Sequence, residues 1–326
     1  MANLPTTAPP APTKPLRYAD VAVTATANDF AGIYRGKQYH APDFAGTLDR
    51  AHALGVEKVM LTGMSLADVP VNTGIAAARP PGQCFLTIGV HPYHAGEMQE
   101  GGAGYVERLA AAVREALAVR PRLLAAFGEL GLDYDRLNHA GKEAQLEAFK
   151  TQLELFVNEG WDLPLFLHCR AAYDDFVEVM KPYVARLPRR GLVHSFVGSA
   201  AQMQGLLDLG LDVSVNGFSF RDAESVDMVR AVPLDRLQLE TDAPWGEIKP
   251  SADVARYLVH APSLPASRKR DKWVEGCMVK ERNESCAISR VAFVVAGLKG
   301  MAVEEVAEAA WRNSVRMFGM EGSEGE

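Results

Sequence analysis

Two carboxylates and two histidines recur in one setting along this chain: each directly follows an apolar run. The strings are Gly128-Glu129-Leu130-Gly131-Leu132-Asp133, Leu167-His168-Cys169-Arg170, Val193-His194-Ser195-Phe196 and Glu240-Thr241-Asp242-Ala243-Pro244-Trp245. Neutral imidazole nitrogens and carboxylate oxygens are common ligands of divalent cations. A carboxylate can also bridge two cations, which an imidazole cannot. Each residue alone has a plainer explanation, since a lone glutamate in a turn is equally a surface group and a lone buried histidine is more often a hydrogen-bonded core residue. The set carries the inference of a metal site. Mixed nitrogen and oxygen donors with open positions suit metal-assisted hydrolysis, in which the cation lowers the pKa of a water and offsets charge on a substrate oxygen. Within that set, Asp242 is the remaining oxygen ligand or a general base.

Other candidates stand nearby in type. His91, in Gly89-Val90-His91-Pro92-Tyr93, ends a further apolar run. As histidinium or as a neutral donor it could hold a phosphate oxygen, or it simply caps its loop. Arg170, two residues past His168, is an anion clamp or a salt-bridge partner. In Lys280-Glu281-Arg282-Asn283-Glu284, cations and an amide precede a helix start. There Arg282 reaches substrate or supports the residues that do, and Glu284 is expected to serve the helix N-terminus. His40 and His52 fall in a loop and on a helix, and read as structural.

These side chains need strands to carry them. The stretches at 123–127, 163–167, 192–193 and 237–239 are continuously apolar, or nearly so, as strands covered on both faces are. Extending the reading, strands are expected at 18–23, 58–62, 85–90 and 123–128, then ending at His168 and at His194, then at 212–215 and 237–240. Helices are expected at 44–54, 66–78, 105–119, 142–159, 172–187, 200–209, 222–232, 285–298 and 303–318. An alternating series of this count predicts an α/β fold, a closed (β/α)8 TIM barrel, over an open doubly wound sheet. Such barrels carry their chemistry at the C-terminal strand ends. The segment between Asp242 and Asn283 has scattered prolines and few periodic apolar residues, so it reads as a long loop after strand eight on that face.

The chain has 326 residues with 48% hydrophobic and 23% charged residues, enough for a sizeable core. One barrel of roughly 250 residues plus insertions fits this length better than two domains. A barrel domain at 17–318 is therefore expected between an Ala/Pro-rich flexible tail, 1–16, and an acidic glycine-rich one, 319–326. The first tail has neither the apolar core of a signal peptide nor the arginines of a mitochondrial presequence, and no stretch is long enough to span a membrane. Cys84, Cys169, Cys277 and Cys286 form no C-x-x-C pair, which favours reduced thiols in a cytoplasmic or nuclear protein. The net charge of −7 does not itself favour a nucleic acid partner. Within 243–283, however, Lys249, Arg256, Arg268, Lys269, Arg270, Lys272, Lys280 and Arg282 outnumber Glu247, Asp253, Asp271, Glu275 and Glu281, and this local basic excess points to an anionic partner.

Taken together, the strings resemble the TatD family of metal-dependent deoxyribonucleases within the amidohydrolase-like barrels, from Asp20 to about Phe318. The resemblance also rests on Phe30-Ala31-Gly32-Ile33-Tyr34-Arg35-Gly36, which is similar to the eukaryotic branch, on Thr87-Ile88-Gly89-Val90-His91-Pro92 and on Arg282-Asn283-Glu284. It implies that Glu129, His168, His194 and Asp242 hold one or two divalent ions, with Glu129 as the bridge and Asp242 orienting or deprotonating the attacking water. Magnesium is the first expectation, with manganese, zinc or calcium as alternatives. His91 then matches a position that contacts substrate phosphate. The implied activity is a 3′ to 5′ exonuclease on DNA, single-stranded or at 3′ ends, linked in eukaryotes to DNA breakdown in apoptosis. A hydrolase of another ester or amide, such as an aminoacyl-tRNA, is the alternative, and a silent scaffold a third. One departure matters: many relatives open strand one with D-x-H-x-H, whereas Asp20-Val21-Ala22-Val23-Thr24 puts Ala22 and Thr24 at the two histidine positions. Magnesium, which prefers oxygen and keeps several waters, tolerates that loss better than zinc.

Overall fold

The computed structural model describes residues 4–321; the ends of both expected tails, 1–3 and 322–326, lie outside the described residues. The chain runs β1 (Tyr18–Val23), a short antiparallel ribbon of β2 (Ile33–Tyr34) and β3 (Lys37–Gln38), α1 (Phe44–Ala53), β4 (Val56–Leu61), α2 (Asp68–Ala77), β5 (Cys84–Ile88), α3 (Ala95–Ala118), β6 (Leu124–Asp133) and α4 (Lys142–Glu159). It continues with β7 (Leu165–Arg170), α5 (Tyr173–Met180), β8 (Gly191–His194), α6 (Ala200–Asp208), β9 (Asp212–Val215), α7 (Ala223–Ala231) and β10 (Leu237–Leu239). A small parallel pair, β11 (Ser267–Arg268) and β12 (Met278–Val279), precedes α8 (Ile288–Lys299) and α9 (Val303–Phe318).

Eight of these strands form one sheet in the order β1-β4-β5-β6-β7-β8-β9-β10, alternating with helices as a (β/α)8 barrel requires. A parallel bridge between Val23 and Ala243 ties the end of β1 to the turn after β10. The chain gathers around two centres, one holding residues up to Val59 with Val197–Ala200 and Val215–Ser314, the other holding Met60–Phe196, Ala201–Ser214 and the chain from Val315. Among the described residues, no single helix is long and apolar enough to cross a membrane.

In the second half, β5 to β8 pair in parallel and bury every residue except the last of β7. Helix α4 lays Ala148, Phe149, Gln152, Leu153 and Phe156 against them at helical spacing. Two helices differ from expectation. The helix expected from residue 105 begins in fact at Ala95, and α3 crosses glycines 101, 102 and 104 with a break at Gly102 (φ 50°, ψ −143°). Helix α5 stops at Met180 rather than 187, because Pro182 supplies no N–H for a further turn.

In the first half, β1 and β10 are wholly buried and α8 is buried from Val291 to Leu298. The expected long loop after the eighth strand is present and carries its own short elements: a 3-10 turn at Asp253–Leu258 that buries Tyr257, and the β11–β12 pair. Residues 4–16 form no helix or strand; the Tyr257 hydroxyl donates to the Pro5 carbonyl at 2.6 Å and the Thr13 N–H donates to Glu304 at 2.8 Å.

Candidate active site

Strand β6 positions two acids, and its glycines explain how. The sequence places the end of this strand at Gly128, reading the two glycines as turn residues; the strand in fact runs on to Asp133. Gly128 (φ 145°) and Gly131 (φ 147°) lie so close to β7 that a Cβ at either would collide with the carbonyl oxygens of Phe166 and His168. Close approach, not a turn, is what they supply. The register between β6 and β7 slips between Gly128 and Leu130, leaving Glu129 as an extra, unpaired residue. A bulge of this kind re-aims a side chain next to a site. Beyond it the two-residue period returns, so Glu129, Gly131 and Asp133 share one face while Leu130 and Leu132 pack on the other.

Glu129 is the meeting point. Its Oε1 lies 2.6 Å from His194 Nε2, 2.8 Å from His168 Nδ1 and 3.3 Å from His91 Nε2. His168 and His194 face each other across β7 and β8 because they are register partners, with ring nitrogens 3.3 Å apart. The other nitrogen of His168 meets Asp133 Oδ2 at 3.0 Å, and Tyr93 donates to that same oxygen at 3.2 Å. Phe166 stacks under His194 at 4.6 Å and His139 stacks on Tyr93 at 4.2 Å, fixing the ring planes. The three histidines and both acids of this cluster are buried.

Helix α4 holds the strand ends in place through two buried glutamines one heptad apart. Gln145 accepts from the Asp133 N–H at 2.8 Å and donates to the Asp133 carbonyl at 2.9 Å. Gln152 does the same for Val90, the residue before His91, at 2.8 and 3.0 Å. Each amide thus satisfies both backbone groups of a residue where the sheet ladder ends.

Electrostatics and donor chemistry agree on what this cluster accommodates. Burial alone would raise the Glu129 carboxyl, but His194 and His91 beside it and the hydrogen bonds from His168 and His194 hold it well below the ordinary carboxylate range. Burial pushes His91 down to about 4 against the pull of Glu129, so its ring is neutral at pH 7. His91 Nδ1 accepts from the Tyr93 backbone N–H at 3.1 Å, which leaves the ring proton on Nε2, facing Glu129. Burial also opposes a charge on His168, yet hydrogen bonds to Asp133 and Glu129 win and raise its pKa. Three ring nitrogens crowding one carboxylate oxygen need shared protons or a cation between them. Asp133 Oδ1 is buried with no hydrogen-bond partner among the described residues, so an oxygen donor is left over as well. His91, Glu129 and His168 bring ligand-type atoms within 4.8 Å of one another, His91 doing so with its protonated Nε2. This buried His–Glu–His cluster has the make-up of a metal site, and the residues present fit a divalent cation.

The remaining sequence candidates are placed as follows. Arg170, at the end of β7, donates to the carbonyl and hydroxyl oxygens of Ser195 at 3.2 and 3.3 Å. Asp242 belongs to the other half, in a half-buried turn after β10 with φ 54°, where its carbonyl accepts from Trp245 N–H at 2.9 Å. Asn283 braces that turn by donating its side-chain amide to Thr241 O at 2.9 Å and its backbone N–H to Pro244 O at 2.9 Å. Arg282 is 2% exposed and its guanidinium is spanned by Asp43, at 2.6 and 2.7 Å, and Glu284, at 2.7 Å. Glu284 makes no cap hydrogen bond, contrary to expectation, because Arg282 and Arg50 take its carboxylate. Ala22 is fully buried and Thr24 is 5% exposed, its N–H donated to Ala243 O. The sequence reading missed Asp133, Tyr93, Gln145 and Gln152. The signal for Asp133 was its place four residues after Glu129, on the same face of a strand whose end was set too early.

Comparison with known proteins gives this geometry its context. A family model described as TatD related DNase matches residues 29–319. A Schizosaccharomyces pombe protein named deoxyribonuclease Tat-D is 41% identical over 313 residues, covering 94% of this chain and 96% of that one. An Erwinia billingiae protein named 3′-5′ ssDNA/RNA exonuclease TatD is 32% identical, covering 92% of this chain and 98% of that one. Among solved structures, an uncharacterized amidohydrolase from Saccharomyces cerevisiae superposes with a TM-score of 0.86 at 32% identity, over 93% of this chain and all of that one. A TatD family hydrolase from Entamoeba histolytica superposes with a TM-score of 0.85 at 28% identity, over 95% of this chain and all of that one. Barrel, strand-end cluster and matched span agree: the chain belongs to the family of TatD-related DNases.

Proposed function

We propose that this protein is a magnesium-dependent deoxyribonuclease that removes nucleotides from the 3′ end of single-stranded DNA, with Glu129, His168, His194 and Asp242 holding one or two cations and Glu129 as the bridge. The observation that carries the reading is the convergence of three imidazoles on Glu129 Oε1, with Asp133 Oδ1 left without a partner beside them. When bound, the cation activates water and offsets charge on the phosphate. The chain's own groups do the rest. Asp133 and Tyr93 orient His168, and Phe166 orients His194. His91, neutral and carrying its proton on Nε2, donates that proton as a hydrogen bond to a phosphate oxygen. Asp242 orients the attacking water or accepts its proton, and Arg170, whose guanidinium is steadied by Ser195, clamps an anion. Arg282, spanned by two carboxylates, acts by holding the Asn283 loop rather than by touching substrate. Magnesium is favoured over zinc because Ala22 and Thr24 supply no imidazole, leaving oxygen and water a larger share of the donors. Four free cysteines, three of them buried, suit the cytoplasm or nucleus.

Single-stranded oligonucleotides labelled at either end and incubated with protein and magnesium test the reading. Stepwise shortening from the 3′ end is expected, and its loss in Glu129→Ala and Asp242→Ala with unchanged circular dichroism. Near wild-type cleavage by either variant overturns the assignment.

A further inference from the structure

The β2–β3 ribbon and the segment at 267–277, both in the half that lacks the histidine cluster, bring cations and aromatic rings together. The Arg270 guanidinium lies 5.2 Å from the ring centre of Tyr34 and 4.9 Å from that of Tyr39, and Lys37 Nζ lies 5.3 Å from Tyr39. His40 stacks on Trp273 with ring centres 4.8 Å apart and planes at 27°. Tyr34, Tyr39, Arg270 and Trp273 are half-buried, while Arg35, Lys37, Arg268, Lys269 and Lys272 are exposed. Anchoring the segment to the ribbon requires Arg270 and the His40–Trp273 stack. It does not require the other five cations, and none of those five is salt-bridged to a carboxylate among the described residues, whereas Arg270 interacts with the Asp29 carboxylate. The two stretches, 33–40 and 267–277, hold only Asp271 and Glu275 against them.

Uncompensated cations draw a polyanion, and ring faces add something only if the anion carries flat groups to lay on them. A duplex hides its base faces in the stack; a single strand offers them at every step. We propose that the ribbon and the 267–277 segment form a binding surface for single-stranded DNA, with the five exposed cations on phosphates and Trp273 and the tyrosines offering ring surface to unstacked bases. The identity of the strand rests on the nuclease reading above; the location of the surface does not.

The test uses the full chain with magnesium and a fluorescein-labelled phosphorothioate oligothymidylate, read by anisotropy over a range of salt concentrations. The exposed triple variant Arg268→Glu, Lys269→Glu, Lys272→Glu is expected to raise Kd at least ~10-fold and to flatten the dependence of log Kd on log salt, by about 0.7 for each phosphate that is no longer neutralised. Trp273→Ala, which removes both a ring face and the His40 anchor of the segment, is expected to weaken binding about tenfold. Kd and slope within twofold of the parent for the triple variant, whose changes are all at exposed positions, overturn the proposal. So does inorganic polyphosphate competing as well as unlabelled oligothymidylate, or preferential binding of anionic phospholipid vesicles. Hydrolysis of bis(p-nitrophenyl) phosphate by the unmodified protein, read separately, reports the metal chemistry without any strand. Its absence counts against the nuclease reading and leaves the binding measurement to stand by itself.

Discussion

Glu129 and Asp20 are both buried carboxylates on barrel strands, one in each half, and their surroundings make them opposites. Asp20 accepts from Thr241 N–H at 2.9 Å, from the Thr241 hydroxyl at 2.6 Å and from the Ser285 hydroxyl at 2.6 Å. Neutral donors of the protein satisfy it, and no ligand is wanted. Nearby, Glu240 accepts from the Asn216 amide at 2.8 Å, and the Arg282–Asp43–Glu284–Arg50 group closes on itself. Around Glu129, by contrast, the partners are the imidazoles of His168 and His194, whose nitrogens can release a proton to solvent and bind a cation in its place, and Asp133 keeps an oxygen without a partner. Burial and strand-end position do not make a carboxylate functional. What distinguishes the two is whether its partners can be exchanged for a metal.

The comparison can be broken at several points. The largest effect is expected from Glu284→Ala, which leaves Asp43 as the one carboxylate of this group for the guanidinium groups of Arg282 and Arg50 and should cost about 3–5 kcal/mol in urea denaturation. A loss under ~1 kcal/mol would mean that this network is wetter than its geometry implies.

Next is the pH dependence carried by Asp20. Burial raises its carboxyl to about 7, against the pull of the Ser285 and Thr241 hydrogen bonds. The folded chain therefore keeps a proton that the unfolded chain releases near pH ~3.9. That contribution is complete below pH ~4 and disappears as pH rises through 7, amounting to about 4 kcal/mol at most. Between pH 4 and pH 8 the parent should lose stability relative to Asp20→Asn. Parallel pH profiles for the two proteins would show that Asp20 does not titrate in this range.

The third contrast is metal linkage. Magnesium at ~100 times its Kd should stabilise the parent and Asp20→Asn by about 2.7 kcal/mol, and should leave Glu129→Gln unmoved. Equal thermal shifts in all three proteins would place the cation elsewhere. The smallest effect is expected from Gln145→Leu, which leaves the Asp133 N–H and carbonyl unpaired and should cost about 1–3 kcal/mol. If metal affinity also falls in that variant, the glutamine positions the site as well as the strand.

Much of this was legible in the sequence because it depends on local pattern. Unbroken apolar runs mark strands covered on both faces, and α4, β9 and α9 fall where periodicity places them, at Lys142–Glu159, Asp212–Val215 and Val303–Phe318. The residue types at the strand ends named the chemistry. What pattern could not reveal depended on neighbours distant in sequence. Gly128 and Gly131 read as a turn because close approach to β7 is invisible in one chain segment, and so Asp133 was lost with the strand's last five residues. The choice for Arg282 between reaching substrate and supporting its neighbours was not legible, because its partner Asp43 lies 239 residues away.

By itself, then, the sequence determined the barrel, the order of its elements and the residue types able to hold a metal, since hydrophobic period and residue chemistry are properties of short segments. The tertiary structure alone decided which carboxylates remain open to a cation. A buried acid's availability is set by what other strands and helices bring to its oxygens, and for Glu129 they bring imidazoles where for Asp20 they bring hydroxyls and a backbone N–H.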